Sequence, residues 1–398
     1  MSRVVKLEEL CLPDQIGKYG IPAVAEEFSE DKVRYLRITD IDDYGNLLEN
    51  DKKSVSSPEI EKYILKEGDI VFARTGNSTG RTYYHEEKNG ELAFAGFLIK
   101  FSLDESKVNP KYLKYFTISK PYKQWVDNLS NGSTRGNINA KTFADCPIIL
   151  PSREQQDYLV RVISSLEDKI QINNQINQEL EAMAKTLYDY WFVQFDFPDQ
   201  SGKPYKSSGG KMVYTPELKR EIPEGWGVEK LSHFLAIKNG KDHKHLQDGK
   251  FAVYGSGGIM RTVTEYLYSG ESILFPRKGT LNNVMYVNEK FWTVDTMFYS
   301  EVNKNNSALY VFYSVKDIDF NKLNTGTGVP SMTSSILYDL NIIVPEENIL
   351  EKFNTIVKRN YETIKLNNIQ NQELIQLRDW LLPMLMNGQV KVEKSNCK

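Results

Sequence analysis

At 398 residues, with 26% charged and 40% hydrophobic side chains and a mean hydropathy of -0.48, the chain has material for two or three water-soluble domains. No run of about 18 apolar residues is present, which excludes a membrane-spanning helix, and Met1–Leu10 lacks the apolar stretch of a secretory signal, so the expected location is the cytoplasm. Cys11, Cys146 and Cys397 are too few and too scattered for a disulfide framework or a zinc knuckle, and a net charge of -3, from 50 Lys+Arg against 53 Asp+Glu, counts by itself against a nucleic-acid binder.

Residues 1–151 read as mixed α/β. The runs Asp69–Ala73 and Phe97–Phe101 are strand candidates bounded by Gly, Asn and Ser, and Asn109-Pro110 opens a short helix over Lys111–Phe116. Cys11 and Cys146 sit beside apolar residues and read as small core residues. Residues 152–192 contain no Gly or Pro, and Ser152 with Gln155 has the spacing of a capping box. Along this helix Leu159, Leu166, Asn173, Leu180 and Leu187 recur every seven residues, with Ile163, Ile170, Asn177, Ala184 and Trp191 as the companion row of a heptad seam. Its end, with Tyr188, Tyr190, Trp191 and Phe192, is expected to be exposed and covered by a partner. Residues 196–224 carry four prolines with Ser207-Ser208 and Gly209-Gly210 and read as an extended linker.

A second front part, residues 225–345, contains the strand candidate Ser272–Phe275 and the glycine cluster Gly255-Ser256-Gly257-Gly258. A second long helix, 346–388, carries Phe353, Asn360, Asn367, Leu374 and Leu381 with Val357, Ile364, Asn371, Arg378 and Leu385, and a tail of 389–398 follows. The halves repeat: Ile148-Ile149-Leu150-Pro151 matches Ile342-Ile343-Val344-Pro345, and Asn177-Gln178-Glu179-Leu180 matches Asn371-Gln372-Glu373-Leu374 without a gap, while Phe72–Gly76 lies against Phe275–Gly279 in a shifted register. Two copies of one domain-plus-helix unit, related by a pseudo-twofold axis, account for this. If the helices run antiparallel, Asn173 and Asn177 meet Asn367 and Asn371 and fix the register; otherwise these asparagines face solvent or a partner. About 40 residues at about 1.5 Å each make a rod of about 60 Å.

Chemistry motifs are missing. No phosphate-binding G-x-x-x-x-G-K-[ST] occurs, and no G-x-G-x-x-G follows a strand. His243-Lys244-His245 and His85 read as exposed loop histidines rather than metal ligands, and Asn109-Pro110-Lys111-Tyr112 is only a partial match to an amino-methyltransferase loop. No catalytic constellation and no cofactor site follow. What remains is contact chemistry in turns: Arg74, Thr75, Asn77, Arg81, Arg135 and Asn137 in the first half. In the second half Lys238, Lys241, His243, Tyr254, Ser256 and Arg261 are joined by Arg277, Lys278, Thr280 and Asn282. Arg and Asn can read guanine and adenine edges bidentately, while Lys and Ser/Thr hold phosphates. Arg74 and Arg277 stand out, because each follows an apolar strand and precedes a glycine within two residues.

Ile222-Pro223-Glu224-Gly225-Trp226, Tyr254–Met260, Tyr266 through Thr296, Leu180 through Asp196, and Leu381–Gly388 together resemble specificity (S) subunits of type I restriction-modification enzymes. The resemblance implies an α+β fold: two mixed α/β target-recognition domains (1–151 and 225–345) separated by two long antiparallel coiled-coil helices (152–195 and 346–388), with a linker at 196–224. It also implies a DNA-recognition subunit with no catalysis of its own, each globular domain reading one half of a bipartite site. The helices set the spacing and dock two modification (methyltransferase) subunits, and restriction subunits join through the complex. The first half lacks the P-x-G-W opening and the proline before Arg74, so the carry-over is firmer for Arg277, Lys278 and Gly279. The alternative is a non-DNA protein-assembly adaptor with two ligand-binding domains. The charge fits the first reading: residues 1–151 carry -2, residues 152–192 carry -3 and residues 193–345 carry +1, so the acidic excess lies largely outside the second front domain and strongly on the first helix, which is expected to face protein.

Overall fold

Residues 3–130, 137–326 and 328–386 are described by the computed structural model of the chain. Contacts divide the chain into a first unit, residues 1–172 with 370–398, and a second unit, residues 173–369.

In chain order the first unit contains β1 (Arg3–Lys6), β2 (Lys18–Tyr19), β3 (Glu26–Glu27), β4 (Arg34–Leu36), β5 (Lys53–Ser54), β6 (Asp69–Ala73), β7 (Thr82–Tyr84), β8 (Leu92–Phe94) and β9 (Leu98–Ser102). Then come α1 (Pro110–Phe116), α2 (Lys120–Ser130), α3 (Ala140–Ala144), β10 (Pro147–Leu150) and the start of α4 (Arg153–Tyr188). One sheet has the order β2-β9-β6-β7, another β3-β5-β4-β8, and β1 pairs with β10. All of β6 is buried because both its faces are covered. Ile70 and Phe72 join Ile99, Phe101 and α1, while Val71 and Ala73 join Leu36, Leu92 and Leu98. The helix expected after Asn109-Pro110 forms as α1, with the Asn109 side chain accepting from the Lys111 N–H and Pro110 at its first position. Leu159 and Ile163 of α4 enter the same core, as do Leu382 and Met386 near the chain's end. Cys11 and Cys146 are buried there.

His85 departs from the sequence reading: it is 3% exposed. The Tyr83 hydroxyl lies 3.4 Å from its Nδ1, and the buried Asp69–Lys100 ion pair, at 3.1 Å, sits on the neighbouring strands.

The second unit takes the remainder of α4, a π-helical turn at Asp189–Val193, and then β11 (Met212–Thr215), β12 (Arg220–Pro223), β13 (Gly227–Lys230), α5 (Leu231–Phe234) and β14 (Leu235–Asn239). It continues with β15 (Asp248–Gly255), β16 (Gly258–Val263), β17 (Tyr268–Pro276), β18 (Met285–Thr293), β19 (Met297–Val302), α6 (Ala308–Lys316), α7 (Ser334–Tyr338), β20 (Asn341–Val344) and the part of α8 (Glu347–Met386) up to residue 369. Its main sheet has the order β14-β19-β17-β18-β15-β16, and β13 pairs with β20. Residues 196–224, expected as an extended linker, are folded onto this unit. Phe197 stacks between Tyr205 and Trp226, at 4.7 and 4.8 Å, and β11 and β12 form an antiparallel pair. Three aromatic rings gather enough burial to outweigh the proline-rich composition. Trp191 and Phe192, expected to be exposed, are likewise core residues against Phe353 and Tyr310, whereas Tyr190 is exposed.

Ser152 and Gln155 exchange the two bonds of a capping box at the start of α4, at 3.2 and 3.4 Å. The seam positions named above are buried or half-buried on both helices. Asn177 Nδ2 donates to Asn368 Oδ1 at 3.0 Å, Asn367 Nδ2 donates to Asn177 Oδ1 at 2.8 Å, and Asn360 Nδ2 reaches the Leu180 carbonyl at 3.4 Å. Rising numbers on one helix meet falling numbers on the other, so in the second unit the helices run antiparallel. Asn173 and Asn371 are buried.

Candidate nucleic-acid interface

Each unit ends a buried strand on an arginine and fixes that arginine through its backbone. In the first unit the Arg74 N–H donates to the Phe97 carbonyl at 3.0 Å, and the Arg74 carbonyl accepts from Ile138 N–H at 2.9 Å. In the second unit the Arg277 N–H donates to the Thr296 carbonyl at 2.8 Å, and the Arg277 carbonyl accepts from Met332 N–H at 2.9 Å. The next residue makes a β-bridge in both: Thr75 with Asn137, Lys278 with Ser331. A glycine with positive φ follows, Gly76 at 74° and Gly279 at 91°, which lets the chain turn away where a side chain would resist. The frame recurs further out, since Tyr112 and Tyr310 donate their hydroxyls to the Ile149 and Ile343 carbonyls at 2.6 and 2.7 Å.

Around Arg74 the structure gathers Asn137, whose Oδ1 accepts from Arg74 Nε at 3.3 Å, and the exposed ring of Tyr19, whose centre lies 5.1 Å from the guanidinium carbon. Thr75 is half-buried and Asn77 exposed. Tyr19 escaped the sequence reading because it lies in a two-residue strand that gives no local signal. Arg135 lies outside the described residues, as does the tail 389–398. Arg81 is committed elsewhere: Nε donates to Asp43 at 2.7 Å and Nη1 to the Ile41 carbonyl at 3.1 Å.

Around Arg277, three loops converge. Lys278 and Thr280 are exposed, Gly279 N–H donates to the Pro330 carbonyl at 3.1 Å, and the Ser256 carbonyl accepts from Asn283 Nδ2 at 2.8 Å. A Cβ at Gly279 would stand 2.9 Å from Ser256 Oγ, so the glycine permits the β15–β16 turn to approach. The Arg277 guanidinium carbon lies 5.9 Å from the Phe298 ring centre. Asn282 is exposed and donates to Asp319 at 3.1 Å.

The other second-half candidates are placed differently. Tyr254 is buried and donates its hydroxyl to Glu289 at 2.8 Å; burial, then the Glu289 carboxylate, push its phenol well above the usual range. Arg261 is held by Asp248 and the Leu246 carbonyl. Lys238 stands 3.6 Å from Glu301, Lys241 is exposed with its carbonyl taken by the Trp292 indole N–H at 2.9 Å, and His243 is half-buried. Among the described residues no group of His, Cys, Asp and Glu is arranged to hold a metal ion, and no helix is long and apolar enough to cross a membrane.

The comparisons with known proteins agree with one another. The profile of the type I restriction modification DNA specificity domain matches residues 4–182 and 223–376. The MjaIX specificity subunit of a type I restriction enzyme from Methanocaldococcus jannaschii is 28% identical over 313 residues, which span 71% of this chain and 70% of that protein. The HindI specificity subunit from Haemophilus influenzae is 22% identical over 408 residues, 84% of this chain and 89% of that protein. A crystal structure of the S subunit of a type-I restriction-modification system from M. genitalium has the same fold, with a TM-score of 0.60 across 97% of this chain and 96% of that one at 15% identity.

Proposed function

The chain belongs to the family of type I restriction modification DNA specificity domains, and from that premise we propose that it is the DNA-reading subunit of a type I restriction-modification assembly. One domain reads each half of a bipartite double-stranded site. The observation that carries this is the duplication: the family match covers both halves, and each half presents an arginine at the end of a buried strand in the same backbone frame. An arginine fixed at its backbone with its guanidinium at the surface suits bidentate reading of guanine. In this reading the chain performs no chemistry. Two modification subunits transfer the methyl groups, restriction subunits join through them, and the assembly works on DNA in the cytoplasm.

The long helices leave Ile172, Ile176 and Met183 of α4 and Leu366, Ile369 and Trp380 of α8 exposed, apolar surface suited to those subunits. With a net charge of -3, the chain leaves much of the phosphate contact to its partners.

The test is methylome sequencing of a host that expresses the chain with its modification subunit. A bipartite motif with two unrelated halves is expected. Arg277→Ala then relaxes one half only, by about 1–3 kcal/mol at a single base pair. A methylome without a bipartite motif refutes the function.

A further inference from the structure

The two arginine frames are alike in backbone and different in what flanks the arginine. In the first unit β6 pairs with β9 up to Ala73 opposite Leu98, and the next step sets Arg74 opposite Phe97 through the 3.0 Å bond. On the other side of β9, Tyr19 stands opposite Ile99. Residues opposite one another, or two apart, share a face of a sheet. Tyr19 and Arg74 therefore stand together on the face whose buried continuation is Phe72 and Ile99, and Phe97, the third residue of the Ala95–Leu98 turn, is joined to Arg74 through its carbonyl. Phe97 is 59% exposed. Its turn is held firmly: Leu98 N–H donates to the Ala95 carbonyl at 2.8 Å, Gly96 N–H to Ile21 at 3.0 Å and Gly20 N–H to Leu98 at 3.2 Å. A Cβ on Gly20 would fall 2.2 Å from the Ala95 carbonyl oxygen, so only glycine admits this approach.

The second unit repeats the pairing around the arginine and the close glycine approach. Pro276 is opposite Met297, Arg277 follows opposite Thr296, and Asn239 is opposite Phe298. Gly240 N–H donates to Met297 at 2.9 Å, and a Cβ on Gly240 would fall 2.0 Å from the Val294 carbonyl oxygen. The positions of Tyr19 and Phe97 are thus taken by Asn239 and Thr296. At these two positions Arg74 has exposed aromatic side chains, where Arg277 has an asparagine and a threonine above the buried Phe298 ring.

A lone exposed phenylalanine is ordinary. Phe97 differs in being fixed, by glycine-enforced contacts, directly beside the arginine that faces DNA. We propose that Phe97 is a specificity-determining residue of the first half-site. Its ring makes an apolar contact with the 5-methyl group of a thymine next to the base pair that Arg74 reads, while Thr296 offers a hydroxyl at the equivalent place in the second. Tyr19 acts as a positioning residue, its ring supporting the Arg74 guanidinium. This inference rests on the DNA-reading function proposed above.

The test uses the assembled methyltransferase and duplexes in which each thymine of the first half-site is replaced in turn by deoxyuridine, which lacks only the methyl group. The native complex is expected to bind about fourfold more weakly at one such position, the worth of one buried methyl-sized group. Phe97→Thr is expected to be indifferent to that replacement, and Phe97→Leu to retain part of the preference. Replacements in the second half-site are expected to affect native and Phe97→Thr complexes equally. The inference is overturned if no uridine replacement in the first half-site weakens the native complex, or if Phe97→Thr responds as the native complex does. Arg74→Ala, assayed in parallel, separates the two levels. A relaxed first half-site in Arg74→Ala beside an unchanged Phe97→Thr removes Phe97 alone, whereas a first half-site unaltered by either removes the reading of this site.

Discussion

Arg74 and Arg81 lie in one loop of the sequence and have opposite fates. Arg74 meets an amide and a tyrosine ring, whereas Arg81 is tied to Asp43 and the Ile41 carbonyl. The apolar strand before it and the glycine after it single out Arg74 locally, but nothing local removes Arg81, which is taken by an aspartate 38 positions upstream. Arg261, held by Asp248, and Tyr254, buried against Glu289, fall to the same cause. His85 differs from its sequence reading for a related reason, since its acidic neighbours in sequence suggest solvent while the fold buries it. Burial holds its imidazole below the ordinary 6.5, against the pull of Asp69 and Glu67. The unfolded chain therefore takes up this proton first, so the stability is whole above pH 6.5 and is lost progressively as the pH falls below it. His85→Asn is expected to flatten that part of the profile, read as melting temperature against pH. A slope equal to the native one would show that other groups set it.

Among the elements, those specified by local pattern were legible. The heptad rows, the Ser152–Gln155 box and the Asn109-Pro110 helix start all depend on residues within a turn or two. β6 was legible because burial on both faces demands an unbroken apolar run. The strands β2 and β3, two residues each, exist only through partners distant in sequence, and the folding of residues 196–224 depends on Trp226. The asparagine layer can be tested as an element. Asn177→Leu leaves the Asn367 amide without its acceptor and is expected to cost about 1–3 kcal/mol in thermal or denaturant unfolding. Adding Asn367→Leu is expected to recover most of that loss, since neither of the two positions then has an amide to satisfy, and the exposed Asn368 can exchange its bond to Asn177 for water. A double variant as unstable as the single one would mean that the layer does not act as a pair.

Across the whole molecule, the duplication is regular at the back and irregular at the front. Asn137 and Ser331, Ile149 and Ile343, Asn177 and Asn371 keep one constant offset, while Tyr19 and Asn239, or Phe97 and Thr296, keep others. Insertions between the strands shift the register without disturbing the arginine frame, which explains why sequence comparison reached Arg74 and Arg277 but not their neighbours. α4 and α8 are each continuous past the points where the two units divide, near residues 172 and 370. Removing one heptad from each helix keeps the seam in phase and takes away about 10 Å of rise, about three base pairs of DNA. The gap between the methylated half-sites is expected to shorten accordingly in methylome sequencing. An unchanged gap with normal methylation would mean that the helices do not measure it.

The order in which the chain is made inverts the order in which its parts can be finished. The second unit is contiguous, residues 173–369, and has all its residues once α8 is partly synthesised. The first unit began emerging long before, yet Leu382 and Met386 are buried with Leu159 and Ile163 in its core. That core stays open until the last helix leaves the ribosome. Of the two units, the one whose translation starts first is thus the one that closes last, and a chain that stops between residues 369 and 382 has a finished second unit beside an uncapped first one.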